Sequence, residues 1–119
     1  MIHFEIQADN PERALEFYER VFDWKFEKLE GPGEYWLITT GPEDQPGING
    51  GLMRTSDLPK GTINAIDVAS VDEFVKTVVE NHGKVVTPKT AISDLGYYSY
   101  CEDTEGNVFG IFENDPSAK

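Results

Sequence analysis

Apolar and polar residues alternate from the first residues of the chain: Ile2, Phe4, Ile6 and Ala8 are interleaved with His3, Glu5 and Gln7. A period of two is the mark of a strand with one buried face. The period then changes. Asp9 or Asn10 is placed to cap a helix, Pro11 suits its first position, and Ala14, Leu15, Tyr18 and Phe22 supply an apolar stripe at helical spacing. Three more strands are predicted over 24–30, 34–40 and 48–54. Glu30-Gly31-Pro32-Gly33 and Gly41-Pro42-Glu43-Asp44 punctuate them.

The same order then recurs. A strand over 62–69 leads to Ser70 as a cap, and Val71, Phe74, Val75, Val78 and Val79 form a helical stripe that stops at His82-Gly83. Strands over 84–90, 96–102 and 107–113 follow, with Asp103-Thr104-Glu105-Gly106-Asn107 as the tight turn before the last. Adding 60 to the first half aligns Ile6 with Ile66, Ala8 with Val68, Ala14 with Phe74, Leu15 with Val75, Tyr18 with Val78 and Gly50 with Gly110. Few of these residues are identical, but the apolar periods stay in phase, which points to an internal repeat. The expected fold is therefore α+β: one domain of two βαβββ units, about 1–55 and 61–114, forming a curved mixed sheet around a cleft. Each helix covers one face of its unit, so the other faces enclose a ligand-sized space. If Ile2, Phe4 and Ile6 pack on the helix, then His3, Glu5 and Gln7 line the cleft.

Composition narrows the class of partner. Twenty-two acidic against ten basic residues give a net charge of −12, which argues against nucleic acid and anionic membrane surfaces. It reads as a well-solvated acidic surface or, alternatively, as a cleft suited to a cationic ligand. No run approaches the ~18 apolar residues of a membrane helix, and the strand-like start offers no leader, so a cytoplasmic protein is expected. The lone Cys101 excludes an internal disulfide and a cysteine-based zinc site; it reads as a packed thiol.

His3-Phe4-Glu5-Ile6, Asn10-Pro11-Glu12-Arg13-Ala14 and Phe17-Tyr18-Glu19-Arg20-Val21-Phe22-Asp23-Trp24 resemble the opening of vicinal oxygen chelate proteins. That superfamily takes in glyoxalase I, bleomycin-resistance proteins, extradiol dioxygenases and fosfomycin-resistance enzymes. Asp103-Thr104-Glu105-Gly106-Asn107-Val108-Phe109-Gly110-Ile111 is similar to its closing turn and strand, so the resemblance spans residues 1–114. It identifies a fold more than an activity, because these motifs are mostly packing and turn residues.

The resemblance implies that metal-dependent members hold one divalent ion on the first and last strands of each unit. Here those positions fall on His3, its repeat mate Ile63 (with Asn64 adjacent), Gly50 and Gly110. Glycine and isoleucine have no donor for such an ion, so no metal and no cofactor is expected. Glu102 and Asp67 are conceivable substitute ligands. His3 is left as a hydrogen-bonded strand residue or a group with an acid/base or ligand-contact role.

Among relatives, bleomycin-resistance proteins imply that the fold can act without metal, as a dimeric sponge for a cationic drug. Strand parity offers His3, Glu5, Gln7, Trp36, Asp67, Tyr98, Tyr100 and Glu102 as cleft groups, with Arg54 able to hold an anionic group instead. Tyr97 and Tyr98 cannot both face inward. The expected function is a small-molecule-binding protein that sequesters or senses a cationic or aromatic ligand. The alternative is a metal-dependent or cryptic enzyme of the same superfamily, a glyoxalase-like lyase or isomerase or a dioxygenase. The resemblance also implies a homodimer, with Asp57-Leu58-Pro59-Lys60-Gly61 as the hinge between units.

Overall fold

A computed structural model describes residues 2–30, 33–54 and 61–119. The hinge proposed for 57–61 lies, except for Gly61, outside the described residues. The described residues form eight strands and two helices, an α+β arrangement, and the chain divides into compact units Ile2–Thr62 and Ile63–Lys119.

The first unit runs β1 (His3–Ala8), α1 (Pro11–Phe22), β2 (Lys25–Lys28), β3 (Tyr35–Thr39) and β4 (Gly50–Arg54). Its strands stand in the order β2-β3-β4-β1, antiparallel except for the parallel β1–β4 pair that the helical crossover requires. Asn10 is the cap: its side-chain oxygen accepts from the Arg13 N–H at 3.1 Å, and Pro11 opens the helix. Asp23, in the left-handed region at φ 60°, ends it.

The second unit repeats the plan with β5 (Thr62–Asp67), α2 (Val71–Glu80), β6 (Lys84–Ile92), β7 (Gly96–Glu102) and β8 (Val108–Asn114). Its order is β6-β7-β8-β5, again with one parallel pair, β5–β8. The Ser70 hydroxyl caps α2 by accepting from the Glu73 N–H. The unit extends past the last strand because the tail folds back: the Asp94 N–H donates to the Ala118 carbonyl at 2.9 Å, and Ala118 is buried.

Each sheet buries one face under its own helix. In the first unit Ala8, Trp36, Ile38 and Leu52 form the core, with Phe4, Ile6, Ala14, Leu15, Trp24 and Phe26 packed around them. In the second, Val68, Val71 and Ile111 are joined by Ile66, Val75, Tyr97 and Phe109. The buried stripe of α2 is narrower than its sequence pattern suggests, since Phe74 and Val79 are exposed.

The last strands tie each helix down at its start. Arg54, at the end of β4, donates from Nη1 to the Asp9 carbonyl at 2.7 Å. Glu113, near the end of β8, accepts the Val71 N–H at 2.9 Å and so satisfies an otherwise unpaired donor of the first turn of α2.

Candidate functional site

The face of each sheet turned away from its helix is the candidate site. Since Phe4, Ile6 and Ala8 pack toward α1, alternation turns His3, Glu5 and Gln7 to the helix-free face. Pairing of Glu5 with Gly51 and of Gln7 with Met53 adds those two β4 residues to the same face. On β3, Trp36 and Ile38 belong to the core, so Tyr35 and Leu37 face the other way.

This corrects one expected site residue. Trp36, only 6% exposed, packs on the helix side with Ile38 and Leu52, and its ring receives the Lys28 ammonium at 5.3 Å. Its neighbour Tyr35 holds the position expected of it. The Tyr35 hydroxyl donates to Glu5 Oε2 at 2.9 Å and lies 2.9 Å from His3 Nε2. It reaches them by leaning across Gly51: a Cβ on that glycine would overlap the Tyr35 hydroxyl oxygen. Burial and the nearby Glu5 carboxylate push the Tyr35 pKa far above its ordinary value, so the phenol stays protonated. Burial holds the His3 imidazole below its ordinary value, and Glu5 offsets part of that effect.

The sequence carried a signal for Tyr35 that parity alone does not reveal. Two adjacent glycines in a central strand mark a close approach by another group. Gly50 admits Phe4 on the helix side, where an added Cβ would meet its carbonyl oxygen at 2.5 Å. Gly51 admits Tyr35 on the other.

The strands of the second unit divide between two faces in the same way. Tyr97 packs with the α2-side core under the Lys89 ammonium, 4.3 Å from its ring centre. Tyr98, Tyr100 and Glu102 therefore occupy the helix-free face, in the parity expected of them. The register aligns Asp67, Phe112, Tyr98 and Thr90 in one row, and Ala65, Gly110, Tyr100 and Thr87 in the next. Tyr98 and Tyr100 meet edge to face, with ring centres 5.5 Å apart. Gly110 leaves room for the Tyr100 ring, which an added Cβ would approach to 3.1 Å.

The register also revises the repeat. His3, Glu5 and Gln7 match Ile63, Ala65 and Asp67 at an offset of 60, as the sequence implies. On the last strands the mates are different: Gly51 pairs with Glu5, and Gly110 pairs with Ala65. Gly51, not Gly50, is thus the counterpart of Gly110, and Arg54 the counterpart of Glu113. Arg54 is also not open to an external anion in the way its sequence position suggested. Its guanidinium is engaged by the Glu34 carboxylate and the Asp9 carbonyl, and that pairing lowers the Glu34 pKa.

A metal centre of the kind found in metal-dependent vicinal oxygen chelate proteins does not fit these residues. Ile63, Gly51 and Gly110 offer no side-chain donor, and neither does Gly50, which faces the helix. Asp67 and Glu102 do not converge, since β8 separates them and they pair four residues apart along it, at Phe112 and Val108. Among the described residues no group of three or more His, Cys, Asp and Glu side chains is gathered to hold an ion. Cys101 is fully buried beside the Ser99 hydroxyl, 3.8 Å away, and burial raises its thiol pKa. It therefore lacks the character of a nucleophile.

Comparison with known proteins agrees with this architecture. The family profile described as Glyoxalase/Bleomycin resistance protein/Dioxygenase superfamily matches residues 1–111. A glyoxylase-like domain-containing protein of Didymella fabae is 29% identical over 112 residues, covering 90% of this chain and 88% of that one. Among solved structures, methylmalonyl-CoA epimerase from Mycobacterium tuberculosis superposes with a TM-score of 0.70 at 13% identity, over 97% of this chain and 87% of the epimerase. A hypothetical protein from Bacillus halodurans C-125 gives 0.72 at 16% identity, over 100% and 96%. At such identities the likeness to solved structures is one of fold.

Proposed function

The chain belongs to the Glyoxalase/Bleomycin resistance protein/Dioxygenase superfamily, and from that premise we propose that it is a small-molecule-binding protein that sequesters or senses a cationic aromatic ligand without a metal. The observation that carries this reading is the edge-to-face pair of Tyr98 and Tyr100 on the helix-free face of the second unit. Asp67 stands in the Tyr98 row and Glu102 two residues beyond Tyr100 on that face, so a positively charged planar group on the rings has a carboxylate toward either side. The net charge of −12 adds long-range attraction for a cation. His3, Glu5 and Gln7 form the polar counterpart on the first unit.

Thermal denaturation tests the proposal with benzyltrimethylammonium against benzoate. The cation is expected to raise the melting temperature and the anion to leave it unchanged. The increment should vanish in a Tyr98→Leu, Tyr100→Leu variant that still unfolds cooperatively. Preference for benzoate, or an undiminished increment in that variant, would overturn it. A cytoplasmic location and a C2 homodimer belong to the same proposal. Light scattering on the purified chain tests the dimer, and a monomer at micromolar concentration would remove that part. Among the described residues no helix is long and apolar enough to cross a membrane.

A further inference from the structure

The first unit carries an arrangement of reactive groups unlike anything on the second. Tyr35 donates its hydroxyl hydrogen to Glu5 Oε2 at 2.9 Å, so its oxygen is left to accept. The group that faces it at 2.9 Å is His3 Nε2, which must therefore carry a hydrogen. A neutral imidazole with hydrogen on Nε2 has its lone pair on Nδ1. Among the described residues Tyr35 is the hydrogen-bond partner of this ring, and it engages Nε2 alone.

Fold alone does not explain the chain of bonds. The second unit builds the same strand with Ile63 and Ala65 where the first has His3 and Glu5, and it forms the same parallel pairing without them. Glu5 is only 8% exposed, and burying a carboxylate is unfavourable unless it is hydrogen-bonded. Gly51 is needed as well, because any side chain there would displace the Tyr35 hydroxyl.

We propose that His3 is a catalytic residue for acyl transfer from small activated esters, with Tyr35 and Glu5 as positioning residues that fix its tautomer. The Nδ1 lone pair attacks the ester carbonyl carbon. The bond to the alkoxide or phenolate oxygen breaks, and that leaving group departs with the electron pair. The N-acylimidazolium so formed keeps its Nε2 hydrogen. Its positive charge is stabilised through the Tyr35 hydroxyl by the Glu5 carboxylate with no proton transferred, as a carboxylate supports the base in other nucleophile–base pairs. Water then attacks the acyl carbon of this N-acylimidazolium, and the C–Nδ1 bond breaks with its electron pair returning to the ring. One proton of the water passes to solvent, giving the carboxylic acid and the neutral imidazole. Two features of the site favour this role. Burial keeps the imidazole in its neutral, nucleophilic form, and the phenol is held protonated, so the relay stays intact.

The test uses p-nitrophenyl acetate as substrate and the His82→Gln protein as background, which leaves His3 as the only histidine of the two in the chain. Release of p-nitrophenolate should be saturable and should exceed that of an equal concentration of free imidazole by at least about tenfold. Diethyl pyrocarbonate should abolish it in step with the addition of one carbethoxy group to His3, located by peptide mass, a readout that needs no further variant. Tyr35→Phe should lower the rate by about tenfold or more. In the same variant, nitrogen-15 spectra of the ring should pass from a single Nε2–H tautomer to a mixture. A rate no greater than that of free imidazole, or one that survives modification of His3, would overturn the proposal. So would a single unchanged tautomer in Tyr35→Phe. These outcomes do not depend on cation binding at Tyr98 and Tyr100.

Discussion

The two units are built alike and finished differently. Each lays four strands in the same order with one parallel pair, caps its helix ten residues or fewer after the first strand begins, and secures the helix start from the end of its last strand. On the helix-free face the resemblance stops. The first unit sets His3, Glu5 and Tyr35 into a hydrogen-bonded chain. The second sets Ile63 and Ala65 in the matching places and pairs Tyr98 with Tyr100. A glycine at the same register position, Gly51 or Gly110, lets a tyrosine lie over the strand in both. The duplicated backbone thus supplies a common socket, and side chains on the neighbouring strands decide whether it holds a polar relay or an aromatic surface.

Substituting the two glycines is the sharpest way to break this comparison. Gly51→Ala forces the Tyr35 hydroxyl out of the position an added Cβ would take and breaks both of its hydrogen bonds. We expect a loss of about 2–4 kcal/mol in urea denaturation. Gly110→Ala meets only the edge of a ring that can shift by a few tenths of an ångström, and should lose less than about 1 kcal/mol. Equal losses would show that the two sockets do not differ as described.

Tyr35→Phe comes next in size. It keeps the ring over Gly51 and removes the hydrogen bonds to His3 and to the buried Glu5, so about 1–3 kcal/mol should be lost. Tyr98→Phe on the second unit should change stability by less than that.

Much of this architecture was legible in the sequence. The alternation of β1, the caps at Asn10 and Ser70 and the turn at 103–107 are local features, set by side-chain period and by short-range hydrogen bonds. What was not legible depends on pairing between strands. Strand parity cannot tell Tyr35 from Trp36 until Gly51 is known to face Glu5, and it missed the slip that pairs Gly51 rather than Gly50 with Gly110. Nor does Arg54 announce its partners, because Glu34 and Asp9 lie 20 and 45 residues away in sequence.

The hairpin loops extend the comparison to pH. In the first unit the loop before β4 is held by a neutral group: the Asn49 side-chain oxygen accepts the Thr40 N–H at 3.0 Å. In the second the Asp103 carboxylate accepts from the Glu105 and Asn107 N–H groups and from the Asn107 side chain. The side-chain bond from Asn107 comes first among the causes that hold Asp103 below its ordinary value of 3.8. A lowered carboxylate contributes stability that is complete above its unfolded value and is lost as pH falls through its folded value. The smallest predicted effect follows: below about pH 4, Asp103→Asn should flatten part of the acid limb of the stability curve. Asn49→Ala should not change its shape.

Chemical-shift mapping with benzyltrimethylammonium tests the division of labour between the two faces most directly. Saturable shifts are expected at Tyr98, Tyr100, Asp67 and Glu102, with His3 and Tyr35 unmoved, and Tyr98→Leu with Tyr100→Leu should remove them. Shifts centred on His3 and Tyr35 instead, or none at the tyrosine pair, would contradict the account.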